Sequence, residues 1–271
     1  MVLVVGILLT GCDTRNPRAG SSGSTRLRLA VTTSTQDSGI LDALVPLFEA
    51  EHAVRVDVIP VGTGKALKLG SRGDVDVVLV HSRQAEDAFL AAGHALRREE
   101  VMFNTFELLG PPADPAGIRG RDPVASLRAV AEHKDRFISR GDDSGTHQRE
   151  QSLWVSGGGR PDWPGYIEAG QGMGATLIMA DQMSAYVLTD RGTYLRFRDK
   201  IDLIPLAAAS PNMRNPYGIL TVNPDLHPGV NHDLADRFVD FLIAPEAQRV
   251  IRDFRVAGEP LFYPLRLSDT D

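Results

Sequence analysis

Three short runs of this 271-residue chain carry the residue types that could do chemistry, and all three are rich in proton donors. Ser139-Arg140-Gly141-Asp142-Asp143-Ser144-Gly145-Thr146-His147 joins an arginine to small hydrogen-bonding residues just ahead of a helical pattern. A helix start leaves several backbone N–H groups unpaired and carries about half a positive charge, so it attracts oxyanions. Arg140 adds a charge that pH does not remove and a planar fork that grips two oxygens at once. The run therefore reads as an anion cradle. A plainer reading stands beside it, in which Asp142, Asp143 or Ser144 caps the helix and Arg140 pairs with one of those aspartates. The second run, Thr32-Thr33-Ser34-Thr35-Gln36-Asp37-Ser38, holds more hydroxyls than one helix cap needs. The third, Gly62-Thr63-Gly64-Lys65, sets a threonine between glycines that let backbone approach a ligand closely. It is not a phosphate-binding P-loop, because the four-residue gap and the Lys-Ser/Thr pair are missing.

Each run lies where a strand hands over to a helix. Leu27 to Val31 alternates apolar with basic residues and leads through the hydroxyl turn into the helical pattern Ile40, Leu41, Leu44, Leu47, Phe48, in which Pro46 predicts a kink or a shifted start. Val54, Val56 and Val58 mark a half-buried strand ending at Val61, before Gly-Thr-Gly. Asp76 to Val80 reads as a strand buried on both faces of a parallel sheet. His81-Ser82-Arg83 follows and starts a helix that Gly93 stops; His81 reads first as a surface or packing residue. Phe106 to Leu109 is a further strand, and the Pro/Gly-rich turn from Gly110 to Gly120 reads as a crossing between domains. Phe137-Ile138 ends the strand that delivers the arginine run, Thr146 to Val155 is the helix behind it, and Gly157-Gly158-Gly159 stops that helix. Gln171 to Met179 is a loop entering a helix, where Gly172 and Gly174 would let amides approach an anion or the facing domain and Met173 reads as core. Ala185 to Thr189, Ile201 to Leu206 and Ile219 to Val222 are strands, the last a return crossing after Asn215-Pro216-Tyr217-Gly218. Two amphipathic helices close the chain, one on Leu234, Phe238, Phe241 and Leu242, the other from Pro245 on Val250, Ile251 and Phe254.

Composition narrows the function classes. The net charge of −6, with neither a basic run nor an aromatic–basic platform, argues against nucleic acid. Attraction for an anion must then come from local groups. Cys12 is the single cysteine, so no intramolecular disulfide forms. Leu9-Thr10-Gly11-Cys12 follows the apolar run Val2 to Leu9 and resembles a bacterial lipobox, with Cys12 as the lipid attachment point. No Lys or Arg precedes the run, where a signal peptide carries its basic segment, so these residues leave the start site open. The run is far shorter than the roughly twenty helical residues that span a bilayer. Residues 13–25 read as a flexible tether, and the folded body is expected from about Arg26.

The whole pattern resembles the TupA-type tungstate-binding proteins, the solute receptors of tungstate ABC importers. The motifs that carry the resemblance are Thr32 to Gly39, Val61-Gly62-Thr63-Gly64, Asp74-Val75-Asp76-Val77 with His81-Ser82-Arg83, Ser139 to His147, and Gly170-Gln171-Gly172-Met173-Gly174. It extends from about Leu29 to Pro264. It implies an α/β, two-lobed type 2 periplasmic-binding-protein fold with ligand in the interdomain cleft: residues 1–25 as signal and tether, 26–110 plus 217–271 as the first lobe, 111–216 as the second. It also implies capture of tungstate or molybdate by Thr33, Ser34 and Thr63 of the first lobe with Arg140, Ser144, Gly145 and Thr146 of the second. No cofactor, metal or catalytic residue is implied. The expected setting is periplasmic or cell-surface, a monomer held to the membrane only by a lipid anchor and partnered by an ABC permease.

Tungstate is an unprotonated dianion at neutral pH, so it needs donors only, and burying it requires every oxygen to be satisfied. The expected cleft is therefore one that offers protons and no carboxylate oxygen. Phosphate and sulfate are the neighbouring alternatives; phosphate keeps a proton near neutrality and would use Asp142 or Asp143 as acceptor, whereas both are expected to face amides or Arg140. A serine hydrolase is the rival from another class, through Ser144, His147 and a nearby Asp. Ser-x-x-His on one helical turn lacks the nucleophile elbow and the separately placed base of a triad. The seven histidines contain no His-x-x-x-His pair, which disfavours a metal receptor.

Overall fold

The computed structural model describes residues 25–267; Cys12 and the lipobox, with nearly all of the tether, lie outside the described residues. The first half alternates strand and helix: β1 (Arg26–Thr32), α1 (Thr33–Ser38), α2 (Ile40–His52), β2 (Arg55–Val61), α3 (Thr63–Ser71), β3 (Val77–Val80) and α4 (Arg83–Ala91). A long strand, β4 (Ala95–Gly110), leads to α5 (Pro123–Glu132), β5 (Phe137–Ser139), α6 (Gly145–Ser156), β6 (Tyr166–Glu168), α7 (Met173–Gln182), β7 (Tyr186–Asp190), α8 (Arg191–Phe197) and β8 (Ile204–Pro205). The return strand β9 (Arg214–Val222) is followed by α9 (His232–Ile243), α10 (Pro245–Asp253), β10 (Arg255–Val256), β11 (Glu259–Pro260) and β12 (Tyr263–Pro264).

Among the described residues, ten strands form one mixed sheet whose main path runs β2-β1-β3-β9-β4-β7-β5-β6, with β8 and β12 also on β4. β1 is parallel to β2 and β3, and β5 is parallel to β6 and β7. β9 is antiparallel to both β3 and β4. The two-residue side-chain period sorts each strand onto two helical layers. Leu27, Leu29 and Val31 face Phe48 of α2, Phe238 of α9 and Ile251 of α10, while Ala30, between them, faces Leu67 of α3 and Phe89 of α4. The second half repeats the scheme, with Phe137 and Leu188 against Leu153 and Trp154 of α6, and Ile138 and Val187 against Leu177 of α7. Each half therefore owns a core on both faces of its part of the sheet.

The strand β4 ties the halves together. It pairs with β9 as far as Thr105 and with β7 from Phe106 onward, so it passes from one half to the other without leaving the sheet. Sequence patterning predicts a strand only over Phe106 to Leu109, whereas β4 begins at Ala95 and takes in Arg97-Arg98-Glu99-Glu100. Those side chains are held in pairs, Arg98 with the buried Glu86 at 2.6 Å and Arg97 with Asp240 at 2.8 Å. Two further expectations change in detail. The hydroxyl turn is a six-residue helix, α1, ended by Gly39 at φ 83°, and α2 then runs on through Pro46. The strand expected over Ile201 to Leu206 shortens to β8. No helix among the described residues is long and apolar enough to cross a membrane.

Candidate functional site

Parallel strands deliver their carboxyl ends to one edge of a sheet, and ligands of open α/β folds bind in the crevice there. Here β1 ends at Thr32 and opens α1, β2 ends at Val61 and opens α3, and β3 ends at Val80 beside His81. In the other half, β5 ends at Ser139 and leads through Arg140 into α6. A cavity of about 520 Å³ lies where these ends meet, and all seven predicted residues line it: Thr33, Ser34, Thr63, Arg140, Ser144, Gly145 and Thr146. The structure brings together side chains separated by more than a hundred residues of chain.

The three helix starts differ in how their amides are used. Thr32 caps α1, its Oγ1 accepting from Thr35 N at 3.3 Å, and it also shares a hydrogen bond with Ser34 Oγ at 3.1 Å. Ser144 caps α6, accepting from His147 N at 3.4 Å. Gly62 caps α3 with no side chain to accept, so the first amides of α3 face the cavity without a side-chain partner. Gly62 and Gly64 both line the cavity, and a Cβ on either would meet no protein atom within 4 Å. Their smallness serves the open space rather than internal packing.

Arg140 pairs with an aspartate, as the plainer reading has it, and it also stands in the cavity wall. Its Nε donates to Asp142 Oδ2 at 2.8 Å, while the guanidinium also lines the cavity and its two terminal nitrogens have no partner among the described residues. Asp142 also accepts from Ser144 N at 3.1 Å. Burial pushes the Asp142 carboxyl up, but the Ser144 hydrogen bonds and the Arg140 charge outweigh it and hold the group below the usual carboxylate range. Behind the wall stands a second guanidinium. Arg149 of α6 lies over the Phe106 ring at 5.6 Å and donates to the Arg214 carbonyl at 3.2 Å, with no carboxylate partner among the described residues.

The wall departs from the donor-only expectation at two points. Asp190, the last residue of β7, lines the cavity, although both its oxygens accept from Thr193, at 2.8 and 2.6 Å, as the cap of α8. Asp143 lines it too, with its side chain fully exposed. His81 also belongs to the wall rather than only to packing. Its Nδ1 lies 3.2 Å from Asn215 Oδ1, its Nε2 lies 3.4 Å from Ser34 Oγ, and its ring packs against Tyr217 at 4.9 Å. Burial pushes the imidazole below its ordinary value, against the opposing effects of the Asp190 charge and the Asn215 hydrogen bond, so His81 is neutral at pH 7. A Cβ added to Gly145 would lie 3.5 Å from His81 Cε1, which puts the start of α6 directly against the first half.

Sequence reasoning missed Phe106, Asn215 and Tyr217 as wall residues, because each sits inside a strand or crossing that reads as structural. Gly170 to Gly174, which might have offered amides to an anion, lines no part of this cavity. Gly174 is small because Phe197 packs onto it, where a Cβ would lie 2.6 Å from Cζ, and Met173 is buried core as expected. Ser144 and His147 do not form a nucleophile–base pair: the His147 Nδ1 accepts from Asp143 N at 3.1 Å, and its Nε2 meets Gln151 at 3.0 Å.

Two α/β halves joined by crossing strands, with helix starts converging between them, define the class. Residues 18–246 match the PBP superfamily domain, and the chain belongs to that superfamily. Within it, the chain belongs to the family of TupA-type tungstate-binding proteins. It is 42% identical over 272 residues to the tungstate-binding protein TupA of Peptoclostridium acidaminophilum, covering 97% of this chain and 95% of that one. The solved structure of the tungstate-binding protein TupA from Desulfovibrio alaskensis superposes with a TM-score of 0.86 at 40% identity, covering 90% of this chain and 100% of that chain. A structure described as the tungstate ABC transporter from Geobacter sulfurreducens gives a TM-score of 0.75 at 50% identity, over 84% of this chain and 98% of that chain.

Proposed function

We propose that the protein captures tungstate, or the isostructural molybdate, between its two halves and presents it to the permease of an ABC importer. The observation that carries this is the convergence of hydroxyl residues, three helix starts and Arg140 on a single cavity. Thr33, Ser34 and Thr63 bind from one side, and Arg140, Ser144, Gly145 and Thr146 from the other. Neither side encloses an anion alone, so binding and closure of the halves are one event. Nanomolar capture needs about −12 kcal/mol, which several charge-assisted hydrogen bonds at roughly 1.5–3 kcal/mol each can exceed net of desolvation and closure. The role is binding and delivery without chemistry and without a cofactor. It places the protein outside the cytoplasmic membrane, at the cell surface or in a periplasm, as a monomer anchored through lipid on Cys12.

Phosphate is the second reading, favoured by Asp190 and Asp143 in the wall, since a protonated oxygen needs an acceptor. Competitive calorimetry with tungstate, molybdate, sulfate and phosphate separates the readings. Tungstate is expected to bind tightly and to resist displacement by a large excess of phosphate. Displacement at comparable phosphate concentration would overturn the tungstate reading.

A further inference from the structure

The cavity holds a proton-binding group, His81, whose tautomer is fixed by Asn215 and Tyr217 of the same wall and by Asn104 behind them. Asn215 Nδ2 donates to Asn104 Oδ1 at 2.9 Å, and Asn104 Nδ2 donates to Tyr217 Oη at 3.2 Å. With both amide nitrogens committed, Asn215 has only its oxygen to offer His81, at 3.2 Å from Nδ1. Nδ1 therefore carries the hydrogen, and the neutral ring turns a bare Nε2 toward Ser34 Oγ, 3.4 Å away. The single hydrogen of Ser34 then has three claimants, the Thr32 Oγ1 at 3.1 Å, the ring nitrogen and an anion in the cavity. A proton on Nε2 reverses the bond, so that the ring donates to Ser34 Oγ and the hydroxyl hydrogen is released to the anion.

Resting on the oxyanion reading above, we propose that His81 is a positioning residue that takes one proton from solvent as a doubly charged tetrahedral oxyanion enters, turning the Ser34 hydroxyl onto it. The balance is simple: neutral His81, dianion and one proton give a complex in which His81 is a cation and the ligand keeps both charges. A monoanion of the same shape offers half the Coulomb energy, too little to hold that proton near neutral pH. The site then prefers dianions to monoanions, and increasingly so as pH falls.

The charges around the ring support this. Asp190, at the end of β7, favours the cation, and the Tyr217 hydroxyl on β9 is neutral. Arg140 and Asp143, from the loop before α6, line the same cavity with opposite signs. The start of α6 at Gly145 lies against Cε1 and disfavours the cation. On the helix that follows His81, Arg83 pairs with Asp87 and Glu100, and Glu86 pairs with Arg98. Burial thus keeps the ring neutral, and an arriving dianion supplies a negative charge that opposes it.

The test is calorimetry of the native protein with tungstate and with perrhenate, a tetrahedral monoanion, in two non-phosphate buffers of different ionisation enthalpy. Tungstate binding at about pH 6.5 is expected to take up between about 0.5 and 1 proton, falling toward zero at about pH 8.5, and perrhenate close to none. The tungstate-to-perrhenate affinity ratio should rise about two- to tenfold between those two pH values. His81→Gln should abolish the uptake and flatten the tungstate profile. Imidazole ¹⁵N spectra of the native protein provide a second readout: tungstate should convert the His81 Nε2 signal from bare to protonated nitrogen at about pH 6.5. Tungstate binding without proton uptake, uptake that persists in His81→Gln, or an unchanged Nε2 signal would overturn the proposal alone. Absence of tungstate binding at both pH values would overturn the oxyanion reading together with it.

Discussion

Replacing Arg140 by alanine tests how the second half of the cavity holds an anion. Arg140 and Asp142 are each about a quarter exposed, at 24% and 25%, so neither is strongly screened and neither is fully desolvated. The substitution removes at least one hydrogen bond from a charged donor, worth roughly 1.5–3 kcal/mol, or about 10- to 150-fold in affinity. It also frees Asp142 from its 2.8 Å bond to Nε, leaving a carboxylate held only by Ser144 near the anion. Arg140→Ala is therefore expected at the upper end of that range. Adding Asp142→Asn to it should recover roughly three- to tenfold by removing the repulsion. Competitive calorimetry at two salt concentrations reads both effects, and the unliganded melting temperature checks that the variants fold. An Arg140→Ala affinity within about twofold of native would refute the placement of Arg140 against the ligand. A double variant weaker than the single one would refute the role given to Asp142.

Other consequences can be checked on the same protein. Gly145→Ala adds a Cβ at ordinary contact distance, 3.5 Å from His81 Cε1, and should bind within about threefold of native, whereas the branched side chain of Gly145→Val should hold the halves apart and cost tenfold or more by calorimetry. Gly174→Ala should lower stability by about 1–3 kcal/mol in urea unfolding, through its clash with Phe197, while the affinity of the folded protein stays unchanged. Burial pushes the Glu150 carboxyl above its ordinary value even though Ser139, Tyr166 and Trp154 all donate to it. The folded protein then holds that proton more tightly than the unfolded chain, so stability falls as pH rises from the unfolded to the folded value. Glu150→Gln should remove that part of the slope in urea titrations from about pH 4.5 upward.

Much of the first half was legible because its signals are local. The apolar runs of β1 and β3, the entry into α3 at Gly-Thr-Gly, and the amphipathic stripes of α9 and α10 each declare an element within about ten residues. The site residues were legible for the same reason, since hydroxyls and an arginine at helix starts carry their chemistry in residue type and place. Non-local pairing was not legible. The strand over residues 97–100 was not legible at all, and its arginines are paired by Glu86 and Asp240 from other elements. Asn215 reads as turn chemistry before a proline, yet it binds Asn104 across the crossing strands and His81 in the cavity wall. Gly174 looks available to a ligand until Phe197, on α8, occupies the space beside it. In each instance the deciding partner is distant in the chain, and residue periodicity does not reach that far.

The unbroken passage of β4 from one half to the other, with β9 starting beside it at the crossing, limits how the molecule can open. A spine two strands thick, bonded residue to residue from Asn104 and Thr105 to Asn215 and Arg214, can flex but cannot slide without losing its register. Opening should therefore resemble a book rather than a pair of shears, with the ladder intact while the helix starts swing apart. Asn104 and Asn215 sit on that spine and also orient the imidazole over the cavity. Flexing the binding edge thus moves the same amides that fix the ring, so a change of posture and a change in the ring's appetite for protons travel through one piece of backbone.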